Sequence, residues 1–332
     1  MKNFLIYIFK LLLPIFLVTS LFLILYTKAD PYFDLKNYEN YSWKYRFNQM
    51  GDLGTKKLLN SVYNYDSFIF GSSRSTSIYA CYLESIIPES KFFHYVNFNE
   101  TIGGIYRKLQ LLDSLGYEIK NTLMYIDTDA TFKGYGEVNF ADHYLLRGGS
   151  RIGSYYKHFK SFMKLDKEKI KILLGKTPSN FYHPNYKSDP RTNDVNNLCT
   201  DSLLNKYGDS SMSYLYIKSI DSLKVSGEMY SRNFKKPVRH DNQISETEKE
   251  YLTEIKKILE RHNTNYKVVI TPLYDLKKFS MKDSILLKEF FGQKLYDYSG
   301  VNSITKNEYN YPDIKHFLPY VSKKIIDEIY ND

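Results

Sequence analysis

Two short segments, far apart in the sequence, carry residue types that together could perform nucleophilic catalysis. In the first, the apolar run Phe68–Phe70 is followed by Gly71 and then by Ser72, Ser73 and Ser75. A serine between a strand and a helix lies where the helix N–H groups and positive dipole end would stabilise an oxyanion. Ser73 is therefore a candidate nucleophile, although serines at such a junction also simply cap helices.

The second segment is Tyr311–Pro319, in which Asp313 and His316 stand three residues apart. On one turn, the carboxylate can hold one imidazole nitrogen while the other nitrogen faces a serine hydroxyl. Asp313 would then fix the imidazole tautomer, and His316 would deprotonate Ser73. The alternative is a solvated loop before a terminal helix, because isolated Asp-x-x-His spacings are common.

Hydrophobic periodicity predicts the helices and strands that must position these two segments. A βαβαβ pattern from residue 67 to 126 predicts a parallel sheet covered by helices, and a second run of helices and strands follows residue 245. We therefore expect an α/β domain formed by residues 62–130 and 243–332. The predicted strands are 67–70, 92–98, 122–126, 266–271 and 294–298, and the predicted helices are 76–87, 104–115, 246–261, 283–291 and 320–330.

Residues 131–242, rich in Tyr, Lys, Ser and Asn, form a predicted insertion into this domain. Long insertions at the active-site edge of a sheet often serve as a lid or substrate platform. A variable excursion without a function would give the same pattern.

The N-terminus reads as a membrane anchor. Residues 4–26 are almost entirely apolar and long enough to cross a bilayer, and no small-x-small cleavage pattern follows them. Lys2 and Lys10 precede the apolar core, which favours a cytoplasmic N-terminus and a soluble domain outside the cytoplasm. We expect residues 1–30 to be an uncleaved transmembrane anchor and residues 31–61 to be a stalk.

Composition excludes several classes of function. The net charge of +9 is scattered, without the dense basic block that would track a phosphate backbone, so nucleic-acid binding is not expected. The six other histidines show no metal spacing and no Gly-rich dinucleotide loop occurs, so we predict no metal and no cofactor. Cys81 and Cys199 form either a disulfide or two buried thiols.

Together, Gly71-Ser72-Ser73 and the Asp313/His316 pair resemble the first and last blocks of the SGNH/GDSL hydrolase superfamily. The chain looks most like a membrane-anchored branch that includes the D-alanyl transfer protein of teichoic acids and alginate O-acetylation proteins. Val268-Val269-Ile270-Thr271-Pro272 and Tyr296-Asp297-Tyr298-Ser299-Gly300 are similar to segments of that branch. The resemblance implies a three-layer α/β/α, flavodoxin-like fold with a parallel sheet.

The resemblance also implies oxyanion donors from a glycine and an asparagine. The candidates for oxyanion or substrate contacts are Gly103, Gly104, Asn99 and Arg74, although the glycines could merely start a helix and Arg74 could merely pair on a helix surface. Where a Gly-x-Asn segment would be expected, the chain has Asp127-Thr128-Asp129. An ionised aspartate cannot donate a hydrogen bond, so Asp127 is interpreted as a structural acceptor for loop N–H groups.

We expect transfer of an acyl group, most simply acetyl, from Ser73 to a cell-surface polysaccharide. The resemblance implies a membrane-bound O-acyltransferase as partner. An esterase with the same triad, and a non-catalytic accessory protein that binds glycan or an assembly complex, remain as alternatives.

Overall fold

The computed structural model describes residues 2–36, 50–132, 143–175, 189–194, 224–227, 229–234 and 238–331 of the 332-residue chain. The chain forms two compact units. One comprises Met1–Asn48 and Ser150–Lys187, and the other comprises Gln49–Gly149 and Ser188–Asp332. The predicted insertion at 131–242 is therefore divided between the two units.

Helices and strands alternate along the described chain. The helices are α1 (Lys2–Ala29), α2 (Met50–Asn60), α3 (Ala80–Ile86), α4 (Ile102–Ser114), α5 (Arg151–Met163), α6 (Lys167–Leu173), α7 (Glu246–Arg261), α8 (Met281–Phe291), α9 (Ser303–Lys306) and α10 (Pro319–Asn331). The strands are β1 (Ser67–Phe70), β2 (Phe92–His94), β3 (Asn121–Ile126), β4 (Val238–Arg239), β5 (Asn265–Ile270), β6 (Lys277–Lys278) and β7 (Leu295–Asp297).

The centre of the second unit is a parallel sheet with the strand order β2-β1-β3-β5-β7. Phe68 of β1 pairs with Phe93 on one side and with Thr122 on the other, so β1 lies inside the sheet. Strands buried on both faces read as continuous apolar runs, as β1 and β3 do. The prediction of a mixed α/β fold with a parallel sheet is confirmed.

Alternate side chains of the strands enter two different hydrophobic clusters. Phe68 and Phe70 of β1 pack with residues of α4, α7 and α8. Ile69, which points the opposite way, packs with residues of α3 and α10. Successive strand side chains point to opposite faces, so helices cover the sheet on both sides.

The predicted helix at 76–87 is instead a 3₁₀ helix, Ser73–Ser77, followed by α3. The physical reason lies in three hydroxyls that donate to backbone carbonyls three residues earlier. Ser75 Oγ bonds Ser72 O at 2.8 Å, Thr76 Oγ1 bonds Ser73 O at 2.6 Å and Ser77 Oγ bonds Arg74 O at 2.8 Å. Such local bonds compete with α-helix formation and favour the tighter turn.

Part of the segment predicted as a stalk is helical. Residues 50–60 form α2 in the second unit, where Leu53 and Leu58 are buried and Thr55 Oγ1 lies 2.7 Å from the Tyr95 hydroxyl. Gly51 and Gly54 weaken the local helix signal, so packing rather than propensity stabilises this element.

In the first unit, residues 6–29 of α1 include an 18-residue stretch with a mean hydropathy of 2.5 and are long and apolar enough to cross a membrane. In the second unit, Cys81 of α3 is disulfide-bonded. Cys199, the other cysteine in the sequence, lies outside the described residues.

A buried ion pair joins α4 to the loop that follows β2. The Lys108 ammonium donates to a Glu100 carboxylate oxygen and to Tyr95 O at 2.8 Å, and both charged side chains are almost fully buried. Burial raises the pKa of Glu100, while the neighbouring ammonium opposes that rise. The pair therefore depends on both members, because a lone buried charge is costly.

We expect Lys108→Met to lower the free energy of unfolding by about 3–5 kcal/mol, because it leaves the Glu100 carboxylate buried and uncompensated. The combined Lys108→Met, Glu100→Gln variant should recover part of that loss. Lys120→Met is the matched control, since Lys120 pairs with Asp66 and Glu118 at an exposed position, where the loss should stay below about 1 kcal/mol. Urea denaturation of the solubilised chain measures all three, and equal losses for the two lysines would contradict this account.

Candidate active site

Ser73 begins the 3₁₀ helix directly after β1, at the carboxyl edge of the sheet. Gly71 allows Ser75 and Tyr125 to pack closely against the backbone of this turn, because a Cβ at Gly71 would lie 2.8 Å from the Ser75 Cβ and 3.1 Å from the Tyr125 Cβ. The capping role falls to Ser72, whose Oγ accepts from the Arg74 N–H at 3.2 Å. Ser72 and Ser75 thus form hydrogen bonds within the turn. The Ser73 hydroxyl instead faces another segment.

That segment is the turn that carries Asp313 and His316. Ser73 Oγ lies 3.0 Å from His316 Nε2. His316 Nδ1 lies 2.9 Å and 3.1 Å from the two carboxylate oxygens of Asp313. The structure therefore brings the three predicted triad residues together, in the order that lets an imidazole accept the serine proton while a carboxylate fixes its tautomer.

Backbone N–H groups hold the Asp313 carboxylate in place. Asp313 Oδ1 accepts from the Lys315 N–H at 2.6 Å and from the His316 N–H at 2.9 Å. Burial acts to raise the pKa of Asp313, but the hydrogen bond and charge of His316, together with these N–H groups, lower it overall. The side chains of Asp313 and His316 remain 46% and 37% exposed, so the site is open to solvent and to a substrate.

Arg74, the residue after the candidate nucleophile, links three chain segments. Its Nη1 and Nη2 donate to the two Asp129 oxygens at 2.6 Å and 2.8 Å, and Nη1 also lies 3.0 Å from Asp127 Oδ2. Its Nε donates to Lys315 O at 2.6 Å, within the Asp313–His316 turn. Burial alone would lower the pKa of Arg74, but the two carboxylates raise it above its ordinary value.

These contacts revise the prediction for Arg74. Its side chain is 9% exposed, so it pairs in the interior instead of on a helix surface. All three guanidinium nitrogens already contact Asp127, Asp129 or Lys315. We therefore interpret Arg74 as a residue that positions the site.

Asp127 is an acceptor, as predicted, but its partners are not loop N–H groups. Its carboxylate accepts from Ser72 Oγ and Thr271 Oγ1, each at 2.6 Å, beside the Arg74 contact. Asp127 therefore ties the ends of β3 and β5 to the nucleophile turn. The guanidinium offsets the negative charges that would otherwise oppose an oxyanion near Ser73.

The glycine candidates occupy the first turn of α4. The Gly104 N–H donates to the N-cap hydroxyl of Thr101 at 3.1 Å, and a Cβ at Gly104 would lie 2.1 Å from Glu100 Oε1. Gly104 is therefore explained by the helix start and by close packing, and its N–H is not available to an oxyanion. Gly103 is buried in the same turn. Asn99 is exposed in a turn with φ 49°.

The Ser73 backbone N–H is a candidate oxyanion donor that the sequence reasoning did not name. Within the described residues, the backbone N–H of Ser73 has no hydrogen-bond partner, whereas Ser72 accepts the N–H groups of Arg74 and Ser75. A nucleophile's own N–H is a recurrent oxyanion donor in acyl transfer. The sequence feature that could have indicated this donor is the position of Ser73 at the start of a helical turn.

A second Ser–His–Asp array begins at Ser75, two residues after Ser73. Ser75 Oγ lies 3.0 Å from His94 Nε2, and His94 Nδ1 lies 2.9 Å from Asp194 Oδ1. His94 and Asp194 are fully buried. Burial raises the pKa of Asp194 against the opposing effects of His94 and of the Ala80 N–H.

Sequence reasoning missed this buried array. Its aspartate comes from the region treated as an insertion, 100 residues after the histidine, and no local pattern joins them. Because Ser75 is enclosed by these contacts, we interpret the array as a support for the nucleophile turn and not as a second catalytic site.

No protein-family model matches this sequence, and no curated protein matches it. Among the described residues, no group of three or more His, Cys, Asp or Glu side chains is arranged to hold a metal ion. The interpretation of the site therefore depends on its geometry.

We expect Arg74→Met to lower the free energy of unfolding by about 3–5 kcal/mol, because it leaves the buried Asp127 carboxylate without its cation. Adding Asp129→Asn should recover part of the loss by removing one of the two negative charges. Urea denaturation measures the free energies of unfolding of the wild type and of both variants. If Arg74→Met were no more damaging than a change at a partly exposed arginine such as Arg107→Met, the proposed link between the three segments would be wrong.

The lowered pKa of Asp313 predicts a pH dependence. A carboxyl group whose pKa is lower in the folded state stabilises that state above the unfolded value of about 3.9, and this contribution disappears as the pH falls through the folded value. The difference in unfolding free energy between the wild type and Asp313→Asn should therefore be largest near neutral pH and shrink below about pH 4. Because Asp313 is half-exposed, the difference should stay below about 1 kcal/mol. Unfolding curves from pH 3 to 7 measure this difference. A difference that grew as the pH fell would contradict a lowered pKa of Asp313.

Proposed function

We propose that this chain is a membrane-anchored, serine-dependent acyltransferase of the SGNH type, which transfers an acyl group, most simply acetyl, to a hydroxyl of a cell-surface polysaccharide. The observation that carries the proposal is the Ser73–His316–Asp313 array, with Ser73 Oγ 3.0 Å from His316 Nε2 and His316 Nδ1 2.9 Å from Asp313. Residues from opposite ends of the domain thus meet in the geometry that activates a serine.

The sheet supports the assignment to a three-layer, flavodoxin-like SGNH fold. The order β2-β1-β3-β5-β7, counted along this sheet alone, is 2-1-3-4-5, which is the flavodoxin-like order of doubly wound sheets. Helices pack on both faces, and ligands of such folds bind outside the carboxyl ends of the strands. Ser73 follows the carboxyl end of β1 and so stands at that edge.

The chemistry needs two proton relays through one imidazole, each with one proton accepted and one proton given back. His316 accepts the Ser73 proton as Oγ attacks the carbonyl of an ester or thioester donor, and it gives that proton to the departing group. His316 then accepts a proton from the sugar hydroxyl, which attacks the acyl-serine carbonyl, and returns a proton to Ser73 Oγ as that bond breaks. The Ser73 N–H is available to stabilise both oxyanions.

The anchor favours transfer over simple hydrolysis. A free esterase gains nothing from tethering, whereas an enzyme that collects its acyl group from a membrane-bound O-acyltransferase gains effective concentration. The span at residues 6–29 supports such tethering, and Lys2 and Lys10, at its N-terminal end, favour a domain outside the cytoplasm. Residues of the predicted insertion that belong to the second unit remain candidates for a lid or substrate platform.

One observation favours the alternative of a non-catalytic, glycan-binding accessory protein. The loop after β3 carries Asp127 and Asp129, both bonded to Arg74, where the SGNH pattern has an asparagine donor. The chain would then keep the fold and the triad without efficient oxyanion stabilisation. Loss of one such donor typically lowers kcat by about 10²–10³-fold, so a slower enzyme is also consistent with this loop.

We expect a fluorophosphonate probe to label the solubilised chain at Ser73. Ser73→Ala should abolish labelling, and His316→Ala should slow it by about 10³-fold, because the general base is lost. Ser85→Ala is the matched control, since among the described residues the Ser85 hydroxyl bonds Tyr82 O on α3, and it should label like the wild type. Equal labelling of the wild type and Ser73→Ala, or none of either, would reject the enzyme and favour the accessory protein.

Glycan analysis of the producing cells separates the two enzymatic functions. Cells that carry Ser73→Ala should have less polysaccharide acetylation than wild-type cells if the chain is a transferase. More acetylation would identify the esterase with the same triad.

A further inference from the structure

Helix α5 carries a stripe of exposed apolar side chains that its own unit does not cover. Ile152, Tyr156 and Met163 are 82%, 65% and 53% exposed. At 3.6 residues per turn, these three side chains lie within about 40° of one another around the helix. Leu165, Ile170 and Leu174, in α6 or directly beside it, are exposed apolar side chains as well. We name these six residues, with the basic side chains described next, the α5–α6 surface.

Basic side chains border the stripe on one side. Lys160 and Lys157 lie about 80° and 140° around α5 from Ile152. Residues 150–175 contain seven Lys or Arg and two Asp or Glu, a formal net charge of +5. Apolar side chains flanked by lysines on one helix are typical of segments that lie in a membrane interface and meet anionic headgroups.

Helix α5 is fixed to the C-terminal end of α1. The ring of Tyr26 lies 5.2 Å from that of Phe159 and 5.1 Å from that of Phe162, and the ring of Phe22 lies 5.8 Å from that of Phe159. Phe159 and Phe162 therefore pack on residues that belong to the apolar span of α1.

A polar contact completes this attachment. Asp34 Oδ2 lies 2.6 Å from His158 Nδ1, and Tyr32 stacks on the His158 ring at 4.3 Å. Asp30 accepts the N–H groups of Asp34 and Lys36, which fixes the turn after α1. Both aromatic packing and hydrogen bonds thus fix the position of α5 along the axis of α1.

We propose that the α5–α6 surface lies in the headgroup region around the C-terminal end of α1 and binds anionic lipids. Phe22 and Tyr26 stand in the last two turns of the apolar span, so a helix packed on them lies at the boundary of the hydrocarbon. Ile152, Tyr156 and Met163 then enter the acyl boundary, while the exposed Lys160 reaches lipid phosphates. This proposal requires that α1 crosses the membrane, and it does not depend on acyltransferase activity.

A lipid surface fits this stripe better than a second copy of the chain. The net charge of +5 repels its own copy, whereas it attracts an anionic leaflet. The attachment to α1 also places the surface beside lipid in every membrane-inserted chain.

The test uses the full chain, one copy per nanodisc. A single cysteine replaces Met163, is labelled with bimane and is quenched by lipids with a nitroxide near the headgroup. Val62→Cys is the exposed control, because Val62 is 89% exposed and lies outside this surface. Phe9→Cys reports insertion of α1, and the unsubstituted chain gives the background from its native cysteines.

We expect quenching at position 163 to exceed that at position 62 several-fold and to rise when phosphatidylglycerol replaces phosphatidylcholine. Lys160→Glu should reduce this dependence on anionic lipid. Quenching at position 9 without quenching at position 163 would overturn the surface while leaving the anchor intact. Absence of quenching at both positions, or shielding of position 163 only at two chains per disc, would also overturn the proposal.

Discussion

A single guanidinium joins the three chain segments that build the candidate site. Arg74 stands beside the nucleophile and reaches the loop after β3 through Asp127 and Asp129 and the Asp-x-x-His turn through Lys315 O. The three segments are separated by 55 and 241 residues in the sequence, so their alignment depends on long-range contacts. A planar group with a fixed fork of donors suits this role better than a flexible ammonium would.

The same cluster sets the electrostatic balance of the site. Two carboxylates close to a serine nucleophile would oppose the negative charge that develops on a tetrahedral intermediate. Because Arg74 lies against both, the local charge is partly neutralised, and the desolvation of the three groups is offset by their hydrogen bonds. Asp313 differs from these carboxylates, since it is half-exposed and is held by backbone N–H groups and His316. One acid group thus serves the imidazole, while the other two serve the scaffold.

The sheet, its main helices and the meeting of Ser73 with Asp313 and His316 could be anticipated, because periodicity and strand-end positions are local signals. The role of Arg74, the buried Ser75–His94–Asp194 array and helix α2 could not, because each arises from tertiary contacts between residues that no short pattern connects. The glycine pair illustrates the opposite error. A resemblance suggested an oxyanion donor, whereas Gly104 is required by the Glu100 carboxylate and by the cap of α4. The SGNH assignment itself stays a prediction.

The buried array beneath the nucleophile turn bears on how far this chain could be shortened. Asp194 and Asn193 come from the middle of the sequence, yet Asp194 holds the His94 ring and Asn193 Nδ2 donates to His94 O at 2.7 Å. Excising residues 131–242 to obtain a minimal α/β domain would therefore remove the carboxylate that holds the buried His94 imidazole. An engineered version that retains a well-ordered serine must keep the hexapeptide at residues 189–194.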